Sequence, residues 1–278
     1  MLSYVIGFIA LVLVFANPIA EFLYPDRVLR RNEAQARPKL NESLLAIDAP
    51  NATAPECPPD SYVARILNRE PLVVYLEGFL GEEERRHLLE ISEPIFEPST
   101  ITNNGEATHR DSSVRDSHVA VLPRSDPVRC IESRARALQG WRPQVWIERL
   151  RTQRYGPGGH YNHHFDWSSS TGGWGRVSSI MAWVDGSDGL KGGGTEFPAL
   201  RRPQGDEGKA WCRFVECGEG PEEEEEGAGV VFKVVPGNAV YWENFAADGR
   251  GYDETWHAGL PVEQGTKVGL NIWSFGRI

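Results

Sequence analysis

From Trp141 to the C-terminus the chain is written in short apolar or alternating runs, QVWIERL, SSIMAWV, GVVFKVV, NAVYW and KVGLNIWSF, separated by Gly, Pro and Asp turns. That texture predicts an all-β sandwich or barrel for this half, because each run is long enough for a strand and too short for a stable helix. The helical signals lie upstream. PLVVYLEGF predicts a strand, and GEEERRHLLEIS a helix with three glutamates in its first turn, where the dipole favours them. A second helix is better marked: Ser125 or Asp126 can cap it, Pro127 suits its first position, Val128, Ile131, Ala135 and Leu138 share one face, and Gly140 can end it. Helices first and strands afterwards exclude an alternating α/β chain and predict a mainly β fold with flanking helices.

The 278 residues, 40% hydrophobic, suffice for one large domain or two small ones. Residues 1–20 read as a signal peptide or signal anchor. Tyr4 to Ala16 is unbroken apolar sequence, shorter than the roughly 20 residues of a membrane span. Val14 and Ala16 suit a signal peptidase, whereas no Lys or Arg precedes the run, so cleavage and membrane anchoring both stay open. Either sends the chain into the secretory pathway, with the endoplasmic reticulum lumen as the expected address; a buried core helix is the bland alternative. Residues 21–60 are rich in Pro, Ala, Asn and charge and read as a stem, leaving 61–278 as the folded domain. Asn41 and Asn51 are glycosylation acceptors by sequence. The four cysteines are an even count compatible with disulfides, and Cys212 and Cys217 are expected to bridge a loop. A net charge of −10 without clustered Lys and Arg argues against nucleic acid and suits a basic peptide or a neutral substrate. Glu222 to Glu226 read as a solvated acidic loop rather than a calcium site.

The stretch RYGPGGHYNHHFDW carries three of seven histidines. His164 and Asp166 sit two apart, so an extended strand points both side chains to one face. His257, at the end of a β-type stretch, is the candidate third ligand, since His87, His109 and His118 precede the β region. Two imidazoles and one carboxylate on one side of a metal leave open positions, as in non-haem iron(II) oxygenases. Ten residues later Lys267 sits in an alternating strand, where a lysine pointing into a barrel needs an anion to meet it.

Tyr155, Gly158, Tyr161, His164-x-Asp166, GGGTEFP at 192 to 198, then His257-x-Gly-x-Pro-Val-x-x-Gly-x-Lys267 and Trp273 together resemble the prolyl 4-hydroxylase branch of the iron(II)/2-oxoglutarate dioxygenases, from about Pro71 to Trp273. The resemblance implies a double-stranded β-helix (jelly-roll) core and Fe(II), 2-oxoglutarate and O2 as cofactors, with ascorbate as reductant. It implies iron bound by His164, Asp166 and His257, and the distal carboxylate of 2-oxoglutarate bound by Lys267 with help from Tyr155. Ser179 falls where the family usually has a cosubstrate-binding threonine. Tyr161 and Trp273 match positions flanking a target proline, and Arg115 and Ser117 match a stretch near the peptide groove. The implied substrate is a proline-containing peptide or protein.

Departures bear on the substrate: Gly159 and Gly194 replace the family's usual glutamine and glutamate, only WSSSTGGWG separates Asp166 from Arg176, and His160 and His163 are extra. An oxygenase acting on lysine or a small metabolite shares every iron residue. A zinc hydrolase or a non-catalytic β module would use the same His/Asp/His set, but Lys267 and Tyr155 argue against it, because hydrolysis needs no dicarboxylate anchor. WENF and some of the nine tryptophans are candidate pocket walls.

Overall fold

The computed structural model describes residues 42–49, 51–101, 109–170, 172–217 and 229–278. The apolar leader, Asn41 and Glu222 to Glu226 lie outside the described residues. Among those described, no helix is long and apolar enough to cross a membrane.

Among the described residues the strands form two large sheets and a two-stranded pair, Lys191–Gly192 with Val262–Gln264. The larger has nine strands, in spatial order Val63–Arg69, Leu72–Glu77, Ala239–Glu243, Trp174–Gly186, Lys267–Arg277, Arg151–Tyr155, His118–Val121 and Glu97–Pro98, with Val145–Ile147 also paired to Lys267–Arg277. Facing it are Val230–Phe232, Thr195–Phe197, His257–Gly259, His160–His164 and Arg115–Asp116. The alternation of apolar residues builds two cores, one on each face of the larger sheet. Val74, Leu76, Ile180, Ala182, Val184, Val268, Leu270 and Ile272 pack outward under the helices. Val73, Tyr75, Met181, Trp183, Val240 and Trp242 point inward and meet Phe197, Val230 and Phe232 of the smaller sheet. Two facing antiparallel sheets that share an interior in this strand order make the jelly-roll, as expected.

Both predicted helices are present, Glu82–Ser92 and Asp126–Leu138, and they lie on the outer core. Ser125 takes the N-cap position of the second, Pro127 its first turn, and Gly140 follows its end at φ +68°, a left-handed conformation that glycine adopts without strain. Buried Arg134 ties the two helices together through Glu84 at 2.9 Å, and the same carboxylate accepts the Gly81 N–H at 2.9 Å.

The sequence assigned residues 21–60 to a stem, and its described part differs from that reading. Leu45 is buried and bridges to Glu148, and the Ala46 N–H donates to the Ile147 carbonyl at 2.8 Å. Asp48 pairs with Arg124 and Arg129, Asp60 pairs with Arg134, and a Cys57–Cys130 disulfide closes over 73 residues. Charge pairs and one covalent link hold this stretch against the second helix, so it needs no apolar period to be ordered. Cys212 and Cys217 form the expected short bridge.

Candidate functional site

Strand pairing brings the histidines together. His164 lies directly opposite His257, with ring centroids 4.3 Å apart, and Asp166 follows just past the strand end. One donor atom from each of His164, Asp166 and His257 lies within 4.8 Å of the others, the one such trio among the described residues. A carbonyl can only accept, so Nδ1–H of His164 donates to Asn162 O and Nδ1–H of His257 to Thr255 O, both at 2.8 Å. That fixes the tautomer and leaves each Nε2 lone pair for a metal. Asp166 is set in the same way: Oδ2 accepts from Ser179 Oγ at 2.6 Å and Trp273 Nε1 at 2.9 Å, while Oδ1 stands 3.7 Å from His164 Nε2. Burial, with His257 beside it, pushes His164 down to about 3, so the imidazole is neutral as a ligand must be. Burial works to raise the Asp166 carboxyl, but His257, His164, Arg176 and the Ser179 hydroxyl outweigh it and hold Asp166 ionised.

The trio opens into a cavity lined also by Gln153, Tyr155, Tyr161, Thr195, Trp242 and Lys267. Lys267 is opposite Tyr155 in the strand register, and its ammonium lies 4.8 Å from the Tyr155 ring centroid. Only 1% of Lys267 is exposed; it donates to the Gly193 carbonyl and, among the described residues, no carboxylate meets it, so burial alone pushes it down to about 7. Gln153 Nε2 is buried in the same cavity without a partner, and Gln153 Oε1 accepts from Tyr155 Oη at 3.2 Å. A buried ammonium, an unfilled amide N–H and a phenol around one space are the partners a carboxylate needs. The residues present therefore fit an iron(II) ion and a dicarboxylate cosubstrate.

Comparison with known proteins agrees. Residues 150–275 match the 2OG-Fe(II) oxygenase superfamily profile, a span that contains the whole trio and Lys267. That stretch carries the superfamily's domain. Within it, the oxygenase is prolyl 4-hydroxylase-like. It is 27% identical over 216 residues to probable prolyl 4-hydroxylase 10 of Arabidopsis thaliana, covering 75% of this chain and 70% of that one. It is 26% identical over 217 residues to prolyl 4-hydroxylase subunit alpha-3 of Rattus norvegicus, but spans only 34% of that longer chain. Its fold is like that of the viral collagen prolyl hydroxylase of Paramecium bursaria Chlorella virus-1, with a TM-score of 0.50 and 18% identity over 74% of this chain and 90% of that one. Fe(II), 2-oxoglutarate and O2 are accordingly its cofactors.

The oxygenase places several sequence-chosen residues differently from the expectation. Ser179 does not line the cavity; its hydroxyl is spent on Asp166, and Asn244 Nδ2 donates to it at 3.1 Å. The hydroxyl that does line the cavity is Thr195, within the GGGTEFP stretch. Trp273 is 6% exposed and donates to Asp166; it stands opposite Ser179 in register, which is why both reach the same oxygen. Ser117 is buried, bonded to Ser99 Oγ at 2.6 Å and accepting from Arg115 Nε at 3.1 Å, so it positions Arg115. Tyr161 remains at the cavity, stacked on His164 at 3.8 Å with Arg115 above it at 4.7 Å. His160 bonds to backbone carbonyls and His163 to Glu196 at 2.7 Å, so neither is a ligand. Both glycine departures are steric: a Cβ at Gly159 would meet Gly156 O at 2.8 Å, and one at Gly194 would meet Val231 Cγ1 at 2.7 Å. Sequence reasoning missed Gln153 and Asn271, although period-2 spacing from Tyr155 and Lys267 puts them on the cavity face. Trp242, in WENF, is a wall as expected, edge-on to His257 at 4.9 Å.

Proposed function

We propose that the chain hydroxylates a proline residue within a peptide or protein in the secretory pathway, using 2-oxoglutarate as cosubstrate. The observation that carries this reading is the meeting, in one cavity, of three oriented metal ligands and a buried lysine that lacks an anion. Iron(II) with 2-oxoglutarate and O2 supplies the oxidising chemistry: one oxygen atom enters a substrate C–H bond as hydroxyl and the other leaves in succinate, with CO2 released. The chain's own task is placement. His164, Asp166 and His257 would hold the metal, with Ser179 and Trp273 fixing the carboxylate. Lys267 and Gln153 would take the distal carboxylate, with Tyr155 beside them. Trp242 and Phe197, packed on His257, close the inner wall against water. Tyr161 forms the side of the opening nearest His164 and is the residue assigned to the target ring.

Proline as target is supported by the prolyl 4-hydroxylases among the relatives. A lumenal address is supported by the pairing of every cysteine in disulfides, which persist in oxidising compartments. Ascorbate as reductant, glycosylation and a membrane-anchoring leader belong to the same proposal. The test is succinate release from 2-oxoglutarate with iron(II) over a panel of proline-rich peptides, with mass spectrometry locating one added oxygen. Hydroxyproline in a peptide is the expected result; succinate release that never oxidises a peptide would remove the prolyl assignment.

A further inference from the structure

Beside the metal ligands, and among the described residues, more positive charge gathers than is neutralised. Arg176 packs on the Trp273 indole at 3.7 Å, Arg151 lies 5.6 Å from the same ring, and Arg115 covers Tyr161 at 4.7 Å. These rings are the ones that touch Asp166 and His164, so the three guanidiniums border the reacting centre. All three side chains are half-buried and reach solvent.

The carboxylates nearby are already committed. Glu148 grips Arg176 through two bonds at 2.7 and 3.0 Å. Asp166 serves the metal, with Arg176 at 3.9 Å. Among the described residues, Arg115 Nε reaches the neutral Ser117 hydroxyl and no carboxylate, and its Nη2 is buried without a partner. Arg151 Nε is likewise buried and unpartnered. Burial above all holds Arg151 below its usual pKa; Glu148 opposes this, and Arg176 and Arg115 add to it. Lys267 does not account for the excess, since it belongs to the cosubstrate end of the cavity. Three arginines that share, among the described residues, one carboxylate outside the metal trio are a local departure from a composition of 39 acidic and 29 basic residues. Guanidinium N–H groups left unfilled near a binding site are costly unless a ligand fills them, and a carboxylate matches their forked geometry.

We infer that the substrate of this site carries an acidic side chain close to the reacting residue, and that Arg151 and Arg115 bind its carboxylate. The inference rests on the peptide-hydroxylase reading and narrows it: the acceptor is an acidic segment, although the chain's own net charge of −10 would on its own suggest a basic or neutral one.

The test uses enzyme loaded anaerobically with iron(II) and 2-oxoglutarate, so that binding is read without turnover. N-acetylated, C-amidated proline peptides carrying Glu, Gln or Lys at each position flanking the proline are titrated by fluorescence anisotropy. At one flanking position the Glu peptide binds about ten-fold or more tightly than its Gln twin, and the Lys peptide more weakly still. Arg151→Gln removes most of that gap and Arg151→Lys keeps part of it, with 2-oxoglutarate binding as the check that each variant is folded. Equal binding of Glu and Gln peptides by the wild type at every position overturns the inference without recourse to any variant. A further Gln peptide with a free C-terminal carboxylate that binds as tightly as the amidated Glu peptide, whatever residue flanks the proline, overturns the side-chain assignment. Admitting O2 then separates the two claims. Proline oxidation that ignores peptide charge keeps the hydroxylase and sinks the acidic preference, whereas Glu-selective binding with no proline oxidised keeps the carboxylate site and sinks the prolyl reading.

Discussion

Replacing Lys267 by Met makes the empty protein more stable while removing its hold on 2-oxoglutarate. The ammonium is 1% exposed and its pKa falls from 10.5 to about 7 through burial. At ~1.36 kcal/mol per pH unit, keeping that group folded at pH 7 without an anion costs about 4 kcal/mol at most. The substitution also strips the Gly193 carbonyl of its donor, worth about 1–2 kcal/mol. Methionine fills a similar length with no charge, so the net gain is about 2 kcal/mol, or roughly 4–8 °C in Tm for a domain of this size. The sign against pH is a second signature. Between pH 7 and 10.5 the unfolded chain binds a proton at this lysine that the folded chain does not, so wild-type stability rises from pH 7 to pH 9. In Lys267→Met this contribution is absent. The assay is urea unfolding of metal-free and cosubstrate-free protein at both pH values, repeated with saturating iron(II) and 2-oxoglutarate, which stabilise the wild type and not the variant. A variant that is less stable than wild type at pH 7, or that keeps the full rise with pH, would refute the reasoning.

Other outcomes follow from the same geometry. Because the cosubstrate's carboxylate needs a charged Lys267, the Kd for 2-oxoglutarate rises with pH above about 7, and calorimetry at pH 8 in buffers of differing ionisation enthalpy records proton uptake on binding. Ser179→Ala removes one of two hydrogen bonds to Asp166 Oδ2 and weakens iron(II) binding about ten-fold in chelator competition, whereas His164→Ala abolishes iron retention and turnover. Replacing the Cys57–Cys130 pair by serines destabilises the domain by about 4 kcal/mol, and replacing Cys212–Cys217 by about 2 kcal/mol, because the first closes 73 residues and the second five. Denaturant titration of the two double variants should give that order.

Much of the frame was readable from residues alone, for identifiable reasons. The second helix carried its own start and stop signals in Ser125, Pro127 and Gly140, and the strands showed the two-residue alternation that separates the helix-covered core from the barrel interior. The His164-x-Asp166 spacing placed both groups on one face before any partner strand was known. What could not be read were relations set by register across distant strands. Ser179 and Trp273 become neighbours only when Trp174–Gly186 pairs with Lys267–Arg277, so a motif match placed each near the site but not on Asp166. Ser117 was similarly assigned by position, while its buried bond to Ser99 depends on where the chain before it returns. The described part of the stem looked unfolded because its order comes from ion pairs and a long-range disulfide, which leave no period in the sequence.

The central claim is that one cavity grips both the metal and the dicarboxylate. It is tested most directly by anomalous diffraction at the iron edge from crystals grown anaerobically with iron(II) and 2-oxoglutarate. A single iron peak bonded by His164 Nε2, His257 Nε2 and Asp166 Oδ1, with the cosubstrate's distal carboxylate on Lys267 Nζ, is the predicted result. Iron bound elsewhere, or a cosubstrate carboxylate that leaves Lys267 without an anion, would contradict it.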